Sequence, residues 1–504
     1  MKPPVAALVA CAAIGLAPAL PAQDWPRWLG PADPVVADGG AIRRTFDGPL
    51  KPAWTVKLGG REGMRRDGGS PVVVGGLVYT FHMTDALEEL EAWWLPLGDK
   101  QEWLKKRPKG LTEAAHDYLK TQADTPLRWD DRAAFDAWLA AAGLPEADRA
   151  SIAGKATNQR KYRVNHLTAY HLATGERAWQ QTWPGAINHG WGGEVHSTMA
   201  IKDGVIYLPE ADGTVHARKL GDGSPIWQSK ARVWGRYAGA NSSPLVHGDL
   251  VHIQGREGHL ALSKADGSLV WRTKPRAIPT EDSSPAIYRD ASGRDVVLVP
   301  SVITRNNSLH GFDAATGEEL WKVDHGGGRF VTPAIAKDRI ITVQSAHGQA
   351  KGERKAGLYV YDTTQTPPKL VGSHVRDVKR GNSTSTCNAP VVRGDRCYWS
   401  TMEGVFCFSV ADGSVLWKNA DHICGNYSSC AVVGDVLITM VRGKGWAAFD
   451  AATGKLLHLQ ELADKGAQRK WHPFNTPALA DGYLLFRDKP VGLVCYDLRS
   501  PGGG

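Results

Sequence analysis

Short apolar runs separated by glycine-containing turns recur along most of the chain. The stretch Ser243–Ile253 shows the pattern: an apolar run, a Gly-Asp turn and a second apolar run. Thr332–Ile335 and Thr476–Tyr483 repeat its beginning. Runs of this kind, bounded by Gly-Asp or Asp-Gly, are typical of antiparallel hairpins. We expect such units to begin near Ser70, Ser197, Ser243, Ser284, Thr332, Ala389, Ser429 and Thr476.

A second signal, a glycine turn followed by tryptophan, ends each unit. Ala315–Trp321 carries it in full, and the tryptophans at 179, 227, 271, 321 and 417 are spaced by 48, 44, 50 and 96 residues. The last spacing is about twice the others, which predicts a degenerate copy around Tyr359–Asp362. Phe449–Gly454 begins a further copy, with His458 at the tryptophan position.

Each unit therefore holds about four strands, and a single sheet of that size cannot bury both of its faces. Repetition around an axis solves this, so the sequence predicts an all-β, eight-bladed β-propeller of four-stranded antiparallel blades. The eighth copy ends after Cys495–Leu498, before its outermost strand, whereas Lys51–Lys57 has the pattern of an outer strand without inner ones before it. We expect this N-terminal strand to complete the last blade and close the ring.

Composition narrows the class of protein. Of the 504 residues, 42% are apolar and 22% are charged, which excludes a disordered or fibrous chain. The net charge of +8 includes no Lys/Arg block, so nucleic acid is not an expected partner. Residues 1–22 combine a basic start, an apolar run and small residues, which predicts a signal peptide and a periplasmic or secreted protein. Lipid attachment at Cys11 is an open alternative, and no transmembrane helix is expected.

The complete repeat resembles a known family. Phe312–Trp321 matches the docking pattern Ala-x-Asp-x-x-Thr-Gly-x-x-x-Trp of the bacterial repeats named after pyrroloquinoline quinone (PQQ), and weaker copies cover residues 50 to 499. Trp25–Pro31 also resembles the segment that often opens secreted members of this group. The resemblance implies a propeller. It leaves function open, because the family includes quinoprotein alcohol dehydrogenases, the outer-membrane assembly scaffold BamB and members of unknown role.

Within such blades we expect the repeated tryptophan to be structural. Its flat ring would pack between adjacent blades, and the Thr-Gly or Asp-Gly turn would place it. The predicted blade-docking residues are Trp54, Trp179, Trp227, Trp271, Trp321 and Trp417.

Positive charges and aromatic rings occur in the connections nearest the axis, which alternating strand directions bring to one end of the ring. They would concentrate positive potential on an anionic or sugar-like ligand. Alternatively, the exposed loops of a protein with charge +8 simply carry Arg and Lys. The candidate ligand contacts are Arg236, Tyr237, Arg329 and Trp471. Other members of this set are Arg65, Arg66, Arg232, Trp234, Arg376, Lys379, Arg380, Arg469, Lys470 and His472.

One insertion departs from the repeat at the same end. Blade 1 is expected to turn after Phe81 and to resume near His166, which leaves residues 84–165 as a mainly helical insertion. We interpret it as either a lid or partner-docking module beside the mouth, or a self-packed decoration. The predicted helices are Leu111–Thr121, Asp131–Ala142 and Pro145–Ala156, the second capped by Asp130, over a core of Trp93, Trp94, Trp103, Trp129 and Trp138.

The resemblance also implies a second function, that of a PQQ- and calcium-dependent alcohol or sugar dehydrogenase. By this resemblance Glu194 and Asn241 would bind Ca²⁺, and Asp282 would act as general base. The chain lacks the family's adjacent cysteines and a C-x-x-C-H haem motif, and Asn241 and Asp282 can instead hydrogen-bond to strand starts. For His189 and His196, which flank Glu194, a hydrogen-bonded loop is preferred to a metal site.

Six cysteines follow Cys11, all in the last third of the chain. Cys397 and Cys407 are expected on opposite faces of one hairpin, with Cys397 near Val410, while a disulfide between Cys387 and Cys424 is left open.

We interpret the chain as an exported monomer that acts as a non-catalytic binding scaffold and needs no cofactor. Its partner would be an envelope protein complex or a small anionic or saccharide ligand. The predicted parts are a signal peptide (1–22), an N-terminal extension (23–49) and a propeller (50–499) that carries the insertion (84–165).

Overall fold

The structure is a computed structural model, and its described residues form two compact units. The first comprises Met1–His82, His166–Thr182 and Asn188–Gly504, and the second comprises Met83–Asn165 and Trp183–Ile187. No helix in the described part of the chain is long and apolar enough to cross a membrane. The described residues are 24, 26–29, 42–58, 69–97, 99–185, 197–233, 242–255, 258–274, 283–302, 307–327, 332–344, 355–377, 388–425, 428–462, 476–488 and 492–500.

The first unit is built from eight antiparallel sheets among these residues, here called blades and given from the innermost strand outward. Blades 1 to 3 contain β2 (Val72–Val74), β3 (Leu77–Trp94), β5 (Thr157–His171) and β6 (Arg177–Gly185); β7 (Ala200–Lys202), β8 (Val205–Pro209), β9 (Val215–Lys219) and β10 (Pro225–Gln228); and β11 (Leu245–His247), β12 (Leu250–Gly255), β13 (Gly258–Ser263) and β14 (Leu269–Arg272). Blades 4 to 6 contain β15 (Ala286–Arg289), β16 (Asp295–Val302), β17 (Asn307–Asp313) and β18 (Glu319–Asp324); β19 (Ala334–Ala336), β20 (Arg339–Gln344), β21 (Lys355–Asp362) and β22 (Lys369–Asp377); and β23 (Val391–Arg393), β24 (Arg396–Thr401), β25 (Gly404–Ser409) and β26 (Val415–Asn419). Blades 7 and 8 contain β27 (Ala431–Val433), β28 (Val436–Val441), β29 (Gly445–Asp450) and β30 (Leu456–Glu461); and β31 (Ala478–Ala480), β32 (Tyr483–Asp488), β33 (Gly492–Asp497) and β1 (Trp54–Val56).

The ring closes as predicted, by pairing the two ends of the chain. In blade 8 the N-terminal strand β1 lies antiparallel to β33, with Trp54 opposite Cys495 and Val56 opposite Leu493. The innermost strands β31 and β2 of the last and first blades are also in contact. The predicted eight-bladed propeller with an N-terminal closing strand is therefore confirmed.

Tryptophan rings lie against glycine turns of the next blade. A Cβ atom added at Gly317 of blade 4, for example, would lie 2.5 Å from the ring of Trp271 in blade 3. The Nε1–H group of Trp271 donates to the Ala314 carbonyl of the same turn at 3.0 Å. Glycine is needed there for two reasons, the space taken by the ring and a left-handed φ of +77°. The same contact joins Trp54 to Gly175, Trp179 to Gly223, Trp227 to Gly267 and Trp417 to Gly454.

Blade 5, the degenerate copy, uses a different contact with its neighbour. In blade 5, Gly372 pairs with Val360 next to a shift in the strand register. In blade 3, Trp271 pairs with Ala261 next to the equivalent shift, so Gly372 stands at the tryptophan position of the repeat. A Cβ atom at Gly372 would lie 1.7 Å from the Asp412 carbonyl oxygen of blade 6. The backbone of the next blade therefore takes the space that a tryptophan fills elsewhere.

Blade 7 carries His458 at this place, and the N-terminal segment 42–50 covers it. The ring of Phe46 stacks on His458, with centroids 4.4 Å apart. The Leu50 N–H group donates to Gln460 Oε1 at 2.7 Å, and Ile42 bridges to Arg499. Because the outermost strand of blade 8 comes from the other end of the chain, this segment supplies the contact that a turn supplies in the other blades.

The second unit has its own helices and its own apolar core. Leu119, Phe135 and Ile152 are buried at its centre with Trp103, and Trp93, Trp129 and Trp138 pack around them, whereas Trp94 is half-buried outside this cluster. A first short helix was not predicted, and the three predicted ones are present with shorter bounds. The elements are α1 (Lys100–Lys105), α2 (Glu113–Thr121), β4 (Arg128–Trp129), α3 (Arg132–Ala141) and α4 (Glu146–Ala153).

Two expectations about this insertion were wrong. Asp131, not Asp130, caps α3 by accepting from Ala134 N–H at 2.7 Å, because the helix begins at the following residue. In addition, β3 does not end at Phe81 and β5 does not begin near His166: both are longer strands. Polar pairs join their extensions, including Arg163 with Asp85 at 3.6 Å.

The Trp–Gly contact can be tested with two matched glycines. Gly317→Ala and Gly204→Ala both place a side chain at a left-handed φ (+77° and +74°), which costs about 1 kcal/mol each, but Gly204 has open space around it. We expect Gly317→Ala to lower the free energy of unfolding by about 1–3 kcal/mol more than Gly204→Ala, because its methyl group displaces the Trp271 ring. Equal losses in denaturant unfolding would contradict this.

Candidate functional site

One end of the ring carries the connections in which the sequence places its candidate site. Because strands alternate in direction, the turns between second and third strands emerge at the same end as the connections to the next blade; we call this the mouth end. All seven candidate ligand and catalytic residues belong to those connections and lie outside the described residues, so their predicted roles stay predictions. They are Glu194, Asn241, Asp282, Arg236, Tyr237, Arg329 and Trp471.

A chain of hydroxyl groups holds the ends of these connections. The Thr198 N–H group donates to Ser243 Oγ at 3.0 Å, and the Ser243 N–H group donates to Ser284 Oγ at 2.9 Å. Asn241 and Asp282 each stand two residues before one of these serines in the sequence. The hydroxyl chain therefore fixes the starting point of the segments that carry them. Equivalent bonds run from Ser70 to Thr198, from Ala389 to Ser429 and from Ser429 to Thr476.

Two described arginines at the mouth end lie close to carboxylates. Arg376, at the end of the outermost strand of blade 5, donates to Glu403 in a turn of blade 6. Arg232 lies 3.9 Å from Asp212. Burial lowers the pKa of Arg376, and the nearby Glu403 opposes that shift. The two described arginines of the predicted basic mouth therefore each stand beside a carboxylate, which offsets their positive charge.

A carboxylate and an imidazole are in contact in blade 2. Glu210 Oε1 lies 3.0 Å from His216 Nε2, and both side chains are buried. The Thr214 hydroxyl is 3.3 Å from the same imidazole nitrogen and donates to Asp212 Oδ1 at 2.6 Å. This group can share a proton, but its members bond to one another within one turn, which makes it a rigid base for that turn.

Two buried histidine pairs were not foreseen from the sequence. In blade 1 the rings of His82 and His166 stack at 4.7 Å, beside Arg487, which donates to the Phe81 carbonyl at 3.1 Å. Burial, Arg487 and His166, in that order, lower the pKa of His82 to about 3. The only sequence signal for the buried cation was an arginine inside the otherwise apolar strand β32.

The second pair lies in blade 3. His252 Nδ1 and His259 Nε2 are 3.1 Å apart, and His259 stacks on Trp271 at 5.0 Å. Burial first, and then His247, lower the pKa of His252 to about 3, and burial holds the pKa of His259 well below its usual value. Both imidazoles are therefore neutral at physiological pH.

Comparison with known proteins identifies the family. The family model described as outer membrane protein assembly factor BamB matches four overlapping stretches, residues 122–260, 163–301, 256–382 and 377–502. Together they span more than half of the chain. The chain belongs to this family of PQQ-like repeat propellers.

Solved structures share the fold of this family member at low sequence identity. A europium-containing methanol dehydrogenase has a TM-score of 0.54 and 12% identity, over 92% of this chain and 89% of that one. Quinohemoprotein alcohol dehydrogenase from Comamonas testosteroni also has a TM-score of 0.54 and 12% identity, over 94% and 77%. BamB from Moraxella catarrhalis has a TM-score of 0.46 and 17% identity, over 66% and 87%. Among curated protein sequences, none matches the chain at a significant level.

The described thiols do not fit the cysteine arrangement that the resembling dehydrogenases place against their quinone. Cys397, Cys407, Cys424, Cys430 and Cys495 are all free and buried within blades 6 to 8. Since Cys424 is free, the disulfide with Cys387, which lies outside the described residues, is not formed. Cys397 pairs with Phe408 rather than near Val410, because the turn between β24 and β25 is shorter than the corresponding turn between β8 and β9. In the described ranges, no three or more His, Cys, Asp or Glu side chains are placed to hold a metal ion.

Stability should depend on pH through the buried histidines. Folded His252 takes up a proton only near pH 3, whereas the unfolded chain does so near its ordinary pKa of 6.5. The free energy of unfolding is thus fully present above about pH 6.5 and falls as the pH drops towards 3. Leu298 stands in blade 4 at the position that His252 occupies in blade 3, so His252→Leu is a suitable variant. In this variant the decrease in the free energy of unfolding between pH 6.5 and pH 5 should be smaller by up to about 2 kcal/mol.

Denaturant unfolding at several pH values measures this loss. His171→Gln is the matched control, because His171 is exposed to solvent whereas His252 is buried. Parallel curves for His252→Leu and the unchanged protein would contradict the assignment.

Proposed function

We propose that this protein is an exported, non-catalytic binding scaffold whose mouth end presents connecting loops to an anionic or sugar-like ligand or to a protein partner. The observation that carries the proposal is a set of charge contacts at the bases of these loops. Arg376 bonds to Glu403 and Arg232 lies beside Asp212, so that each pair joins two separate connections. Glu210 contacts His216 and fixes a single turn. A closed ring with fixed loop bases is a suitable frame for recognition by the loops themselves.

Recognition is assigned to the residues in the connections. Arg236 and Arg329 supply charge, and Tyr237 and Trp471 supply flat rings, the combination that suits an anionic or saccharide ligand. The matched family model is described as an assembly factor, which supports a protein complex of the cell envelope as the alternative partner. Residues 1–22 support export as a signal peptide, with lipid attachment at Cys11 as a variant of the same proposal.

Two double variants that remove the same charge test the mouth end. Arg236→Ala/Arg329→Ala changes the connections, and Lys202→Ala/Lys337→Ala changes exposed turns of the opposite end. Binding of an oligogalacturonate, measured by calorimetry beside a neutral oligosaccharide of equal length, should weaken about tenfold or more in the first variant and remain unchanged in the second. Co-purification with an envelope complex should follow the same order. Equal behaviour of the two variants would refute the assignment.

The dehydrogenase alternative predicts a different result. In that case the protein would bind PQQ stoichiometrically in the presence of Ca²⁺ and reduce a dye with alcohols or aldoses, and Asp282→Ala would abolish turnover without loss of fold. The scaffold proposal expects no turnover from the purified chain under these conditions. Turnover that depends on Asp282 would replace the scaffold proposal by the dehydrogenase.

A further inference from the structure

The residues that follow the predicted signal peptide make contacts on the inside of the ring. Asp24 Oδ1 accepts a hydrogen bond from the Gly75 N–H group at 2.8 Å, in the turn between the two inner strands of blade 1. The Pro26 carbonyl accepts one from the Ile201 N–H group at 2.8 Å. Ile201 belongs to β7, the innermost strand of blade 2, so the bond satisfies a donor on the inner edge of that sheet.

Two and three residues further along, at Trp28 and Leu29, the segment contacts other blades. Trp28 Nε1–H donates to Thr476 Oγ1 at 2.9 Å, just before the innermost strand of blade 8. Leu29 is 7% exposed and packs in one cluster with Ala389 and Val391 of blade 6. In a ring of eight, blades 2 and 6 face each other across the axis. The described residues 24 and 26–29, here the plug segment, therefore lie in the space enclosed by the innermost strands, here the channel.

The contacts also give the direction of the plug segment along the axis. Gly75 is in a turn at the end opposite the mouth, whereas Thr476 precedes an innermost strand and lies at the mouth end. The five residues from Asp24 to Trp28 span at most about 14 Å when extended, enough to follow an innermost strand of three residues from one end to the other. The plug segment enters at the turn end and reaches the hydroxyl groups at the mouth end.

The backbone at Leu29 indicates a specific docked conformation. Its φ is +68°, in the left-handed region that a branched apolar residue adopts only at a cost of about 1 kcal/mol or more. The conformation persists because it places the side chain in the apolar cluster between blades 6 and 7. A loosely associated tail has no reason to keep it.

We propose that the channel is a binding site for a Pro-x-Trp-Leu peptide, and that this protein fills the site with its own residues 24 and 26–29. Inner-edge N–H groups bind peptide carbonyl and carboxylate oxygens, as an exposed strand edge does in other peptide complexes. The Thr476 hydroxyl accepts the indole N–H group of Trp28, and the wall of blades 6 and 7 takes the leucine. Covalent attachment gives the chain's own segment a high effective concentration, so it excludes the same peptide supplied in solution.

The proposal is tested on the full chain with the plug variant Trp28→Ala/Leu29→Ala. Its matched control is Thr45→Ala/Asp47→Ala, two exposed residues later in the N-terminal region. The first readout is hydrogen exchange, followed by mass spectrometry, of fragments that contain Gly75 and Ile201. The second is the rate at which a thiol reagent modifies Cys430, which shares the apolar cluster with Leu29, relative to Cys495 in blade 8.

In the plug variant we expect exchange at both fragments and modification of Cys430 to accelerate about tenfold or more, with Cys495 and the control variant unchanged. A synthetic peptide of residues 23–31 should then restore protection with saturation, whereas the peptide with both alanine substitutions should not. Unchanged exchange would show that the plug segment does not occupy the channel. Faster exchange without rescue by the peptide would also overturn the proposal, because the channel would not recognise this sequence.

A milder pair of variants guards against loss of fold in the double mutant. Trp28→Phe removes the indole N–H donor but keeps an apolar ring and should raise exchange at Ile201, and Thr476→Ser keeps the hydroxyl that accepts from Trp28 and Ser429 and should retain protection. Identical exchange in the two variants would count against the proposal.

Discussion

The contact between a tryptophan indole and a glycine in a turn of the next blade holds neighbouring blades of the propeller together. The contact needs three features together: a flat ring on the outermost strand, a glycine in the facing turn, and a left-handed backbone that aims the turn at the ring. The Nε1–H bond from Trp271 to Ala314 then fixes the ring within the contact. Because each contact sets the spacing of two blades, the closure between β1 and β33 depends on how all of them add around the axis. The closed ring of eight sheets therefore follows from a local geometry that is repeated between neighbouring blades.

Much of this fold could be predicted, because the same pattern of four short strands recurs in eight blades and the Trp–Gly contact recurs between five pairs of them. The number of blades, their starts and the closing strand all follow from it. The missing tryptophan of blade 5 was recognised by spacing, but its replacement by close approach of the Asp412 carbonyl to Gly372 was not, since that contact lies between two blades. The extensions of β3 and β5 were missed for a related reason. The second half of β3 and the first half of β5 are largely polar, and partners such as Asp85 and Arg163 are far apart in sequence.

The candidate site could be predicted less well. The alternating strand directions give the end of the ring at which the candidate site lies. Counting the basic residues of the loops, however, does not reveal the carboxylates of other turns that lie beside them. Arg376 was counted as part of a basic mouth, whereas Glu403 of the next blade stands beside it. The buried histidines and Arg487 were missed because nothing in the alternation of an inner strand separates a buried imidazole or cation from an exposed one. The sequence did identify Ser243 and Ser284 as blade starts, and the structure adds that their hydroxyls join neighbouring blades.

The N-terminal residues have a special place in this architecture, since several of their contacts are with the far end of the chain. Trp28 bonds to Thr476, Phe46 stacks on His458 and Trp54 pairs with Cys495, at sequence separations of about four hundred residues. Such contacts close very long loops, and their entropic cost is repaid only when blades 7 and 8 already exist. We therefore expect the first residues of the ring to take their places only after blades 7 and 8 have formed.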